Sequence, residues 1–289
     1  MDAQKADFPI RLMARTLGVS TSGFYEWRTR QTGPAARTLG DAGLTATITE
    51  IWRQSRGTYG SPRVWAELRL GAGIRVGRKR VERLMRGAGI EGAYRRRRNG
   101  CTRRNPDAAP ADDLVNRRFA AEGPDRLWVA DITEHPTAGG KVFLAAVIDA
   151  WSRRVVGWSI ADHLRTELVT DALDMAIWRR RPQPGVVHHS DHGTQYTSWA
   201  FGQRLRAAGL LGSMGSVGDA LDNAMAESFF GTLQLELLDR RHWENRRQLA
   251  TAIFEWIEAW YNPQRRHSAL DYHSPIEYEQ RHPPIEAVA

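Results

Sequence analysis

The chain has 289 residues, 42% of them hydrophobic and 26% charged, which suits a folded protein with room for two or three domains. No apolar run is long enough to cross a bilayer, and the first residues lack the pattern of a signal peptide, so we expect a cytoplasmic protein with no membrane partner. The single cysteine, Cys101, excludes a disulfide within the chain and a CxxC metal site.

Charge is divided unevenly along the chain. Residues 1–110 contain 22 Lys and Arg against 9 Asp and Glu, whereas residues 111–289 contain 19 against 24. The cations are nearly all Arg, whose planar guanidinium binds phosphate with two hydrogen bonds, although a GC-rich genome would also favour Arg codons. Codon bias does not explain why positive charge is concentrated in one half. The front half is therefore predicted to bind a polyanion.

Residues 1–56 are predicted to form an N-terminal helical, helix-turn-helix-like DNA-binding region. Apolar residues recur at helical spacing up to Gly18, which ends a first short helix. A second helix follows the turn and carries Phe24 and Trp27, and residues 41–54 form a third. A turn glycine between two short amphipathic helices is typical of this motif.

Residues 57–92 are predicted to form a second helical DNA-binding unit. Pro62 marks the start of one helix, and a second runs from about Gly77 to Arg86 with its apolar residues on one face and its basic residues on the other. A basic helix suits the major groove of DNA, whereas the alternative is a solvated helix in a small bundle. The candidate DNA-binding residues of this helix are Arg78, Lys79, Arg80 and Arg83.

Residues 93–124 have no sustained periodicity and are rich in Arg, Pro, Ala and Asp. Such a composition is typical of an extended or disordered linker. We expect this basic linker to lie on DNA phosphates through Arg95, Arg96, Arg97 and Arg98.

From residue 125 the pattern changes to strands. Three apolar strands joined by short turns are followed by alternating helices and strands up to residue 280, with a tail at 281–289. This order predicts an α/β catalytic core with a mixed five-stranded sheet flanked by helices, preceded by the all-α region.

Three carboxylates lie at chemically informative places in this core. Asp131 interrupts an apolar strand, where an ionised carboxylate is costly unless it is paired or bound to metal. Asp191 directly follows a short apolar strand, at the end where open α/β sheets bind ligands. Glu227 lies one turn into a helix. Singly, each has a structural explanation: a buried polar residue, a turn residue and a favourable acid on the helix dipole.

Together, these three carboxylates could hold two divalent cations. Mg²⁺ needs only one or two carboxylates, with water and phosphate oxygens completing its shell. Two such ions could activate the attacking oxygen and stabilise the leaving oxygen of an in-line phosphoryl displacement.

Several segments identify a family. Between Asp131 and Asp191 lie 59 residues, and between Asp191 and Glu227 lie 35. With these spacings, the chain resembles the integrase-core transposases of the IS3 family of insertion sequences, and most closely the product of that family's second reading frame. The resemblance covers residues 10 to 280. The segments that carry it are YGSPRVWAEL (59–68), RVERLMRGAGI (80–90), HSDHGTQYTS (189–198), DNAMAESFFGTL (222–233) and WYNPQRRHSALDYHSP (260–275).

The resemblance implies a ribonuclease H-like core in which Asp131, Asp191 and Glu227 form the metal-binding catalytic triad, with two Mg²⁺ ions for which Mn²⁺ substitutes. It also implies double-stranded DNA as partner, both element ends and target, a homo-oligomer assembled on that DNA, and the first-reading-frame protein of the same element as a further partner. Two positions depart from the family. Gln234 stands where the family usually has a Lys or Arg that contacts DNA, and His192 stands where Arg is common.

The reaction expected from this family is hydrolysis of a phosphodiester at the element's end, followed by attack of the released 3′-hydroxyl on another phosphodiester. Two alternatives stay open: a DNA-binding regulator whose core has lost catalysis, which Gln234 suggests, and a structure-selective nuclease on the same fold. Zinc binding by His188 and His189 is disfavoured, because strand alternation places them on opposite faces. Asp149 is interpreted as a turn or ion-pair residue, and His267 as either a DNA contact or a helix cap.

Overall fold

In the computed structural model, residues 1–32, 36–94, 121–214 and 224–283 are described, the backbone alone at 29–32 and 36–39. The described chain begins with helices and continues into an α/β core. Its first five helices are α1 (Ile10–Thr16), α2 (Thr21–Thr32), α3 (Ala36–Gln54), α4 (Ser61–Leu70) and α5 (Arg78–Gly87). No helix in these ranges is long and apolar enough to cross a membrane.

The core has five strands in the order β3-β2-β1-β4-β5. The first three form antiparallel hairpins, and β4 and β5 then run parallel to β1. This is the ribonuclease H-like arrangement, so the predicted mixed five-stranded sheet is confirmed. The strands are β1 (Leu127–Thr137), β2 (Gly140–Asp149), β3 (Val155–Ala161), β4 (Val187–Ser190) and β5 (Leu211–Met214).

Helices cover both faces of the sheet. One face packs against α6 (Thr166–Arg180) and α7 (Trp199–Ala207). The other packs against α8 (Ala224–Glu236), α9 (Arg246–Glu255) and the π-helical turn Trp256–Tyr261 that continues it. Side chains along β1 alternate between the two faces of the sheet. Leu127 and Val129 pack on the face covered by α8 and α9, whereas Trp128 and Ala130 pack on the face covered by α6 and α7.

A close approach fixes the position of α6 on the sheet. A Cβ on Gly157 of β3 would lie 2.1 Å from the carbonyl oxygen of Ala172 and 2.7 Å from the amide nitrogen of Ala176. No side chain fits there, so glycine allows the helix backbone to rest directly on the strand.

The helical region and the α/β core share one apolar cluster. Ile48, Val64 and Val81 of α3, α4 and α5 belong to the same buried cluster as Val129 of β1 and Trp256. The segment 57–92 is therefore packed on the core in the described chain, through a cluster that includes Trp256 and Trp260 of the π-helical turn.

Polar contacts reinforce this docking. The Tyr59 hydroxyl accepts a hydrogen bond from the Arg266 amide at 2.7 Å, and the Tyr59 and Trp260 rings lie 5.5 Å apart. The Arg266 guanidinium in turn donates to Glu67 of α4 at 2.6 Å. Helix α4 is thus joined to the segment that follows the π-helical turn, and we call α9 with this turn the closing helix.

Element boundaries differ from the predictions at a few ends. Helix α3 begins at Ala36, before the predicted residue 41. Helix α9 ends at Glu255, and the chain continues in π geometry from Trp256 to Tyr261. A last helix, α10 (Pro275–Arg281), was not predicted; the side chain of Ser274 caps it and Glu277 completes the capping box.

Candidate active site

Asp131 lies in the middle of β1, half-buried, and is paired with Ala146 of β2. Its side chain is on the sheet face that carries Val129, beneath α8. The Ile132 amide donates a hydrogen bond to Asp131 Oδ1 at 2.7 Å. One carboxylate oxygen is therefore fixed by the backbone of its own strand.

The pKa of Asp131 is raised from 3.8 to about 6. Burial is the main cause, opposed by the Ile132 hydrogen bond, and the negative charges of Asp191 and Glu227 raise it further. The three predicted carboxylates therefore act on one another, although 59 and 35 residues separate them along the chain.

Asp191 is exposed and follows the last residue of β4, the strand that runs parallel to β1. The Gly193 amide donates to Asp191 Oδ1 at 3.0 Å, which holds the carboxylate in a tight turn. A Cβ on Gly193 would lie 3.0 Å from that oxygen, so the small residue leaves room for it.

Glu227 is exposed in the first turn of α8. The helix packs on the sheet through Met225, Ala226 and Phe229, which are buried. A helix is a rigid support, so the packed face fixes the direction in which Glu227 leaves the helix.

The three carboxylates are not close enough together to form a metal site. Within the described ranges, no group of three His, Cys, Asp or Glu side chains is close enough to hold a metal ion. Three like charges repel one another, and this repulsion adds to the effect of burial in raising the pKa of Asp131. Oxygen donors of this kind suit a hard divalent cation, which would draw them together.

Gln234 lies on α8, two turns after Glu227. Its side-chain amide donates a hydrogen bond to Asp239, which follows the helix. The neutral side chain at this position is thus held by an acid that follows the same helix. At the other departure from the family pattern, His192 Nε2 is buried without a hydrogen-bond partner among the described residues.

The predicted DNA-binding residues of α5 fall into two pairs. Arg80 and Arg83 both bind Asp41 of α3, with N–O distances of 2.6 and 2.8 Å. These two cations brace α5 against α3. Arg78 and Lys79 are exposed, and the ion pairs found in the described part of the chain do not include them. Residues Arg95 to Arg98 lie outside the described residues.

The two histidines of β4 face opposite sides of the sheet. His188 is buried against the rings of Tyr196 and Phe201, and burial lowers its pKa to about 4. His189 Nδ1 faces Ser213 Oγ of β5 at 3.1 Å. Asp149 accepts hydrogen bonds from the amides of Asp125, Trp151 and Ser152 and from the Ser152 hydroxyl, as a turn residue does.

Tyr196 is a neighbour of the site that we did not single out from the sequence. Burial raises its pKa well above the ordinary value, and the charges of Asp131 and Asp191 add to the effect. Its ring is 5.3 Å from that of Phe201. The available signal was its position in the segment HSDHGTQYTS (189–198), five residues after Asp191.

The raised pKa of Asp131 leads to a prediction about stability without metal. A carboxyl whose folded-state pKa lies above its unfolded value stabilises the fold at low pH and loses that contribution as pH rises through about 6. Asp131→Asn is therefore expected to stabilise the metal-free protein at pH 7.5, by at most ~3 kcal/mol, and to change little at pH 4.

Denaturant unfolding of the wild type and of Asp131→Asn at both pH values, in EDTA, measures this difference. Addition of Mg²⁺ is expected to raise the unfolding midpoint of the wild type and not that of the variant. Equal destabilisation by Asp131→Asn at both pH values would mean that this carboxylate has an ordinary structural role.

Three family models match the chain. One described as an integrase core domain matches residues 121–220, and another with the same description matches residues 209–275. One described as an HTH-like domain matches residues 39–98. The models thus cover the α/β core with its C-terminal segment, and α3 to α5.

Curated relatives match over almost the whole chain. The chain is 39% identical over 283 residues to the transposase for insertion sequence element IS629 of Shigella sonnei, covering 97% of this chain and 94% of that protein. It is 34% identical over 281 residues to the transposase InsF for insertion sequence IS3A of Escherichia coli strain K12, covering 97% of both. Among solved structures, a simian T-cell lymphotropic virus intasome in complex with the PP2A regulatory subunit B56 gamma matches with a TM-score of 0.48 at 14% identity, covering 84% of this chain and 78% of that chain.

Proposed function

The chain belongs to the IS3-type transposases of insertion sequences, and we propose that it cuts and joins DNA strands at a centre formed by Asp131, Asp191 and Glu227. The main support is Asp131, whose pKa is raised chiefly by burial and further by the negative charges of both other carboxylates. In this proposal a strand, a loop and a helix each supply one carboxylate, and a bound cation would draw the three together.

We further propose that this centre holds divalent cations, with Mg²⁺ as the natural ion, Mn²⁺ as its substitute, and two ions in each site. Three carboxylates with no nitrogen or sulfur donor suit such hard ions. When bound, the cations would favour ionisation of the attacking oxygen and stabilise charge on the leaving oxygen.

The protein groups have separate tasks in this proposal. The Ile132 amide fixes one oxygen of Asp131, which leaves the other oxygen available as a ligand. The Gly193 amide does the same for Asp191. Glu227 is carried by a helix packed on the sheet, so all three carboxylates keep their directions without a change of fold.

The chemistry proposed is two successive phosphoryl displacements. Water attacks a phosphodiester at the element's end, and the bond to the 3′ oxygen breaks to leave a 3′-hydroxyl and a 5′-phosphate. That 3′-hydroxyl then attacks a target phosphodiester and displaces its 3′ oxygen, so one bond forms as one breaks. No covalent bond to the protein is needed.

The front of the chain is proposed to deliver the DNA. Its units are residues 1–56 and 57–92, followed by the basic linker 93–124, ahead of a catalytic core at 125–280 and a tail at 281–289. Exposed Arg78 and Lys79 of α5 suit the duplex backbone, and Gln234 could donate to a phosphate if it left Asp239. Assembly of several copies on DNA, and partnership with the first-reading-frame protein, belong to the same proposal.

An assay of the purified chain tests this function. It is incubated with a duplex that ends in the element's terminal repeat, with Mg²⁺, Mn²⁺ or EDTA, and with a target plasmid. We expect 3′-end cleavage and joined products with either ion and none in EDTA. Binding without cleavage would identify the regulator that Gln234 suggests, and cleavage without joining would identify a nuclease.

A further inference from the structure

A cavity of about 270 Å³ lies between α8, α4 and the segment after the closing helix. Its polar lining residues define what we call the arginine pocket. They are Arg63 of α4, Ser228 and Thr232 of α8, Arg153 of the β2–β3 turn, Tyr261, Arg265, His267 and Ser268. Three guanidinium groups from distant parts of the chain thus meet in one cavity.

The positive charge of the arginine pocket is only partly neutralised. Arg265 is paired with Glu236 at 2.7 Å, with both side chains buried, and Arg63 Nη1 lies 3.6 Å from the same carboxylate. Within the described ranges, no ion pair of Arg153 is found. The negative charge of Asp149 acts on Arg153, but its carboxylate accepts hydrogen bonds from the amides of its own turn and forms no ion pair with Arg153 in the described chain.

Burial makes this excess charge costly. It lowers the pKa of Arg153 and of Arg63, where neighbouring Arg265 adds to the effect. Burial also lowers the pKa of His267 well below its ordinary value, and the charges of Arg265, Arg63 and Arg153 lower it further. An anion in the pocket would favour the charged forms of Arg63, Arg153 and His267, because it would place negative charge next to these buried groups.

The other groups in the arginine pocket are hydrogen-bond donors or can become so. The Thr232 hydroxyl donates to the Ser228 carbonyl at 2.9 Å, and Ser228 itself is exposed at the rim. Arg265 Nη1 is 3.4 Å from His267 Nε2, which places the imidazole proton on the other nitrogen. Guanidinium forks with hydroxyls are the groups that bind phosphate oxygens.

The arginine pocket and Glu227 lie on different faces of α8. Met225, Ser228, Phe229 and Thr232 line the pocket and follow one helical face, whereas Glu227 points away from that face by more than a quarter turn. A phosphate in the pocket is therefore not the phosphate that is cut. It belongs to a second position on the nucleic acid.

We propose that the arginine pocket binds a phosphate group of the DNA backbone, away from the cut bond, and so fixes the position of the duplex relative to α8. This inference rests on the function proposed above. Arg153 is the key residue, because its charge is the one that no ion pair in the described chain offsets.

The test measures duplex affinity by fluorescence anisotropy in EDTA, where no strand is cut, at several salt concentrations. Arg153→Gln is expected to weaken binding about 10-fold and to lower the slope of log affinity against log salt by about 0.9, the value for one lost phosphate contact. The duplex affinity of Arg153→Lys is expected to lie between that of the wild type and that of Arg153→Gln. The control is Arg181→Gln, since Arg181 also has left-handed backbone, as the C-cap of α6, and is exposed at the end of a helix that packs on the other face of the sheet.

Equal losses of affinity in Arg153→Gln and Arg181→Gln would show a general charge effect and overturn the proposal. Inorganic phosphate is tested in parallel by thermal unfolding. If it stabilises the wild type and not Arg153→Gln, while duplex affinity is unchanged in that variant, the pocket takes a free anion and the proposal is wrong. Unfolding midpoints of all variants are compared, and Arg153→Gln is expected to be as stable as the wild type.

These results separate the pocket from the catalytic centre. Arg153-dependent binding of a duplex that is never cut would contradict the proposed function and support the pocket. Cleavage and joining by a chain whose affinity does not depend on Arg153 would contradict the pocket alone.

Discussion

Replacing any one of the three candidate carboxylates by its amide is expected to lower strand cleavage and joining at least ~10³-fold. The variants are Asp131→Asn, Asp191→Asn and Glu227→Gln. Each keeps the size of the side chain and removes one negative charge from the donors that would hold the cations. Duplex affinity should change less than about twofold, because none of the three is a cation that contacts phosphate.

The measurement is the yield of cleaved and joined DNA per unit time, with anisotropy as the binding readout. Asp171→Asn is the matched control: Asp171 is exposed on α6 in the same core, on the opposite face of the sheet from α8. We expect this control to keep wild-type rates. A variant of Asp131, Asp191 or Glu227 that still joins strands would remove that residue from the centre.

The largest effect on stability is expected from Glu236→Gln, which should cost about 3–5 kcal/mol of unfolding free energy. Glu236 and Arg265 are 4% exposed or less and form three hydrogen bonds of 2.7 to 3.1 Å. Loss of the carboxylate charge leaves Arg265 buried beside Arg63 with no acid in contact. An uncompensated buried cation is far more costly than a broken surface pair.

Urea unfolding of the full chain measures this cost. The control is Glu82→Gln, which breaks the Arg86–Glu82 pair of 2.9 Å on α5, where the side chains are 77% and 53% exposed. That change is expected to cost less than about 1 kcal/mol. Similar costs for the two variants would show that Glu236 does not hold the segment after the closing helix in place.

The local sequence pattern was sufficient to predict most of the helices and strands. The three hairpin strands of the core and the alternating helices and strands after them were predicted in their order, because alternation with a period of two and helical spacing are read from neighbours in sequence. The change to π geometry at Trp256 and the helix after Ser274 were missed. The change to π geometry has no sequence signal of its own. The capping box of Ser274 and Glu277 was visible in the sequence and was overlooked.

The candidate site was only partly accessible from sequence. The segments around Asp131, Asp191 and Glu227 were part of the basis for the family assignment, and the relatives confirm that assignment. Their catalytic role stays a prediction. Tyr196, buried beside them, was not singled out, because a tyrosine in a turn motif gives no sign of which charges it will meet.

The sequence by itself determined the family and the order of elements, since these depend on residues close together or on specific motifs, and it predicted the three carboxylates. Only the tertiary structure decided which cations are free for a ligand. Arg80 and Arg83, predicted to face outward, are paired with Asp41, 39 and 42 residues away. One pocket is lined by Arg63, Arg153 and Arg265. Nothing in the sequence indicates that these three arginines lie together. Burial and pairing depend on partners far along the chain, and no local pattern records them.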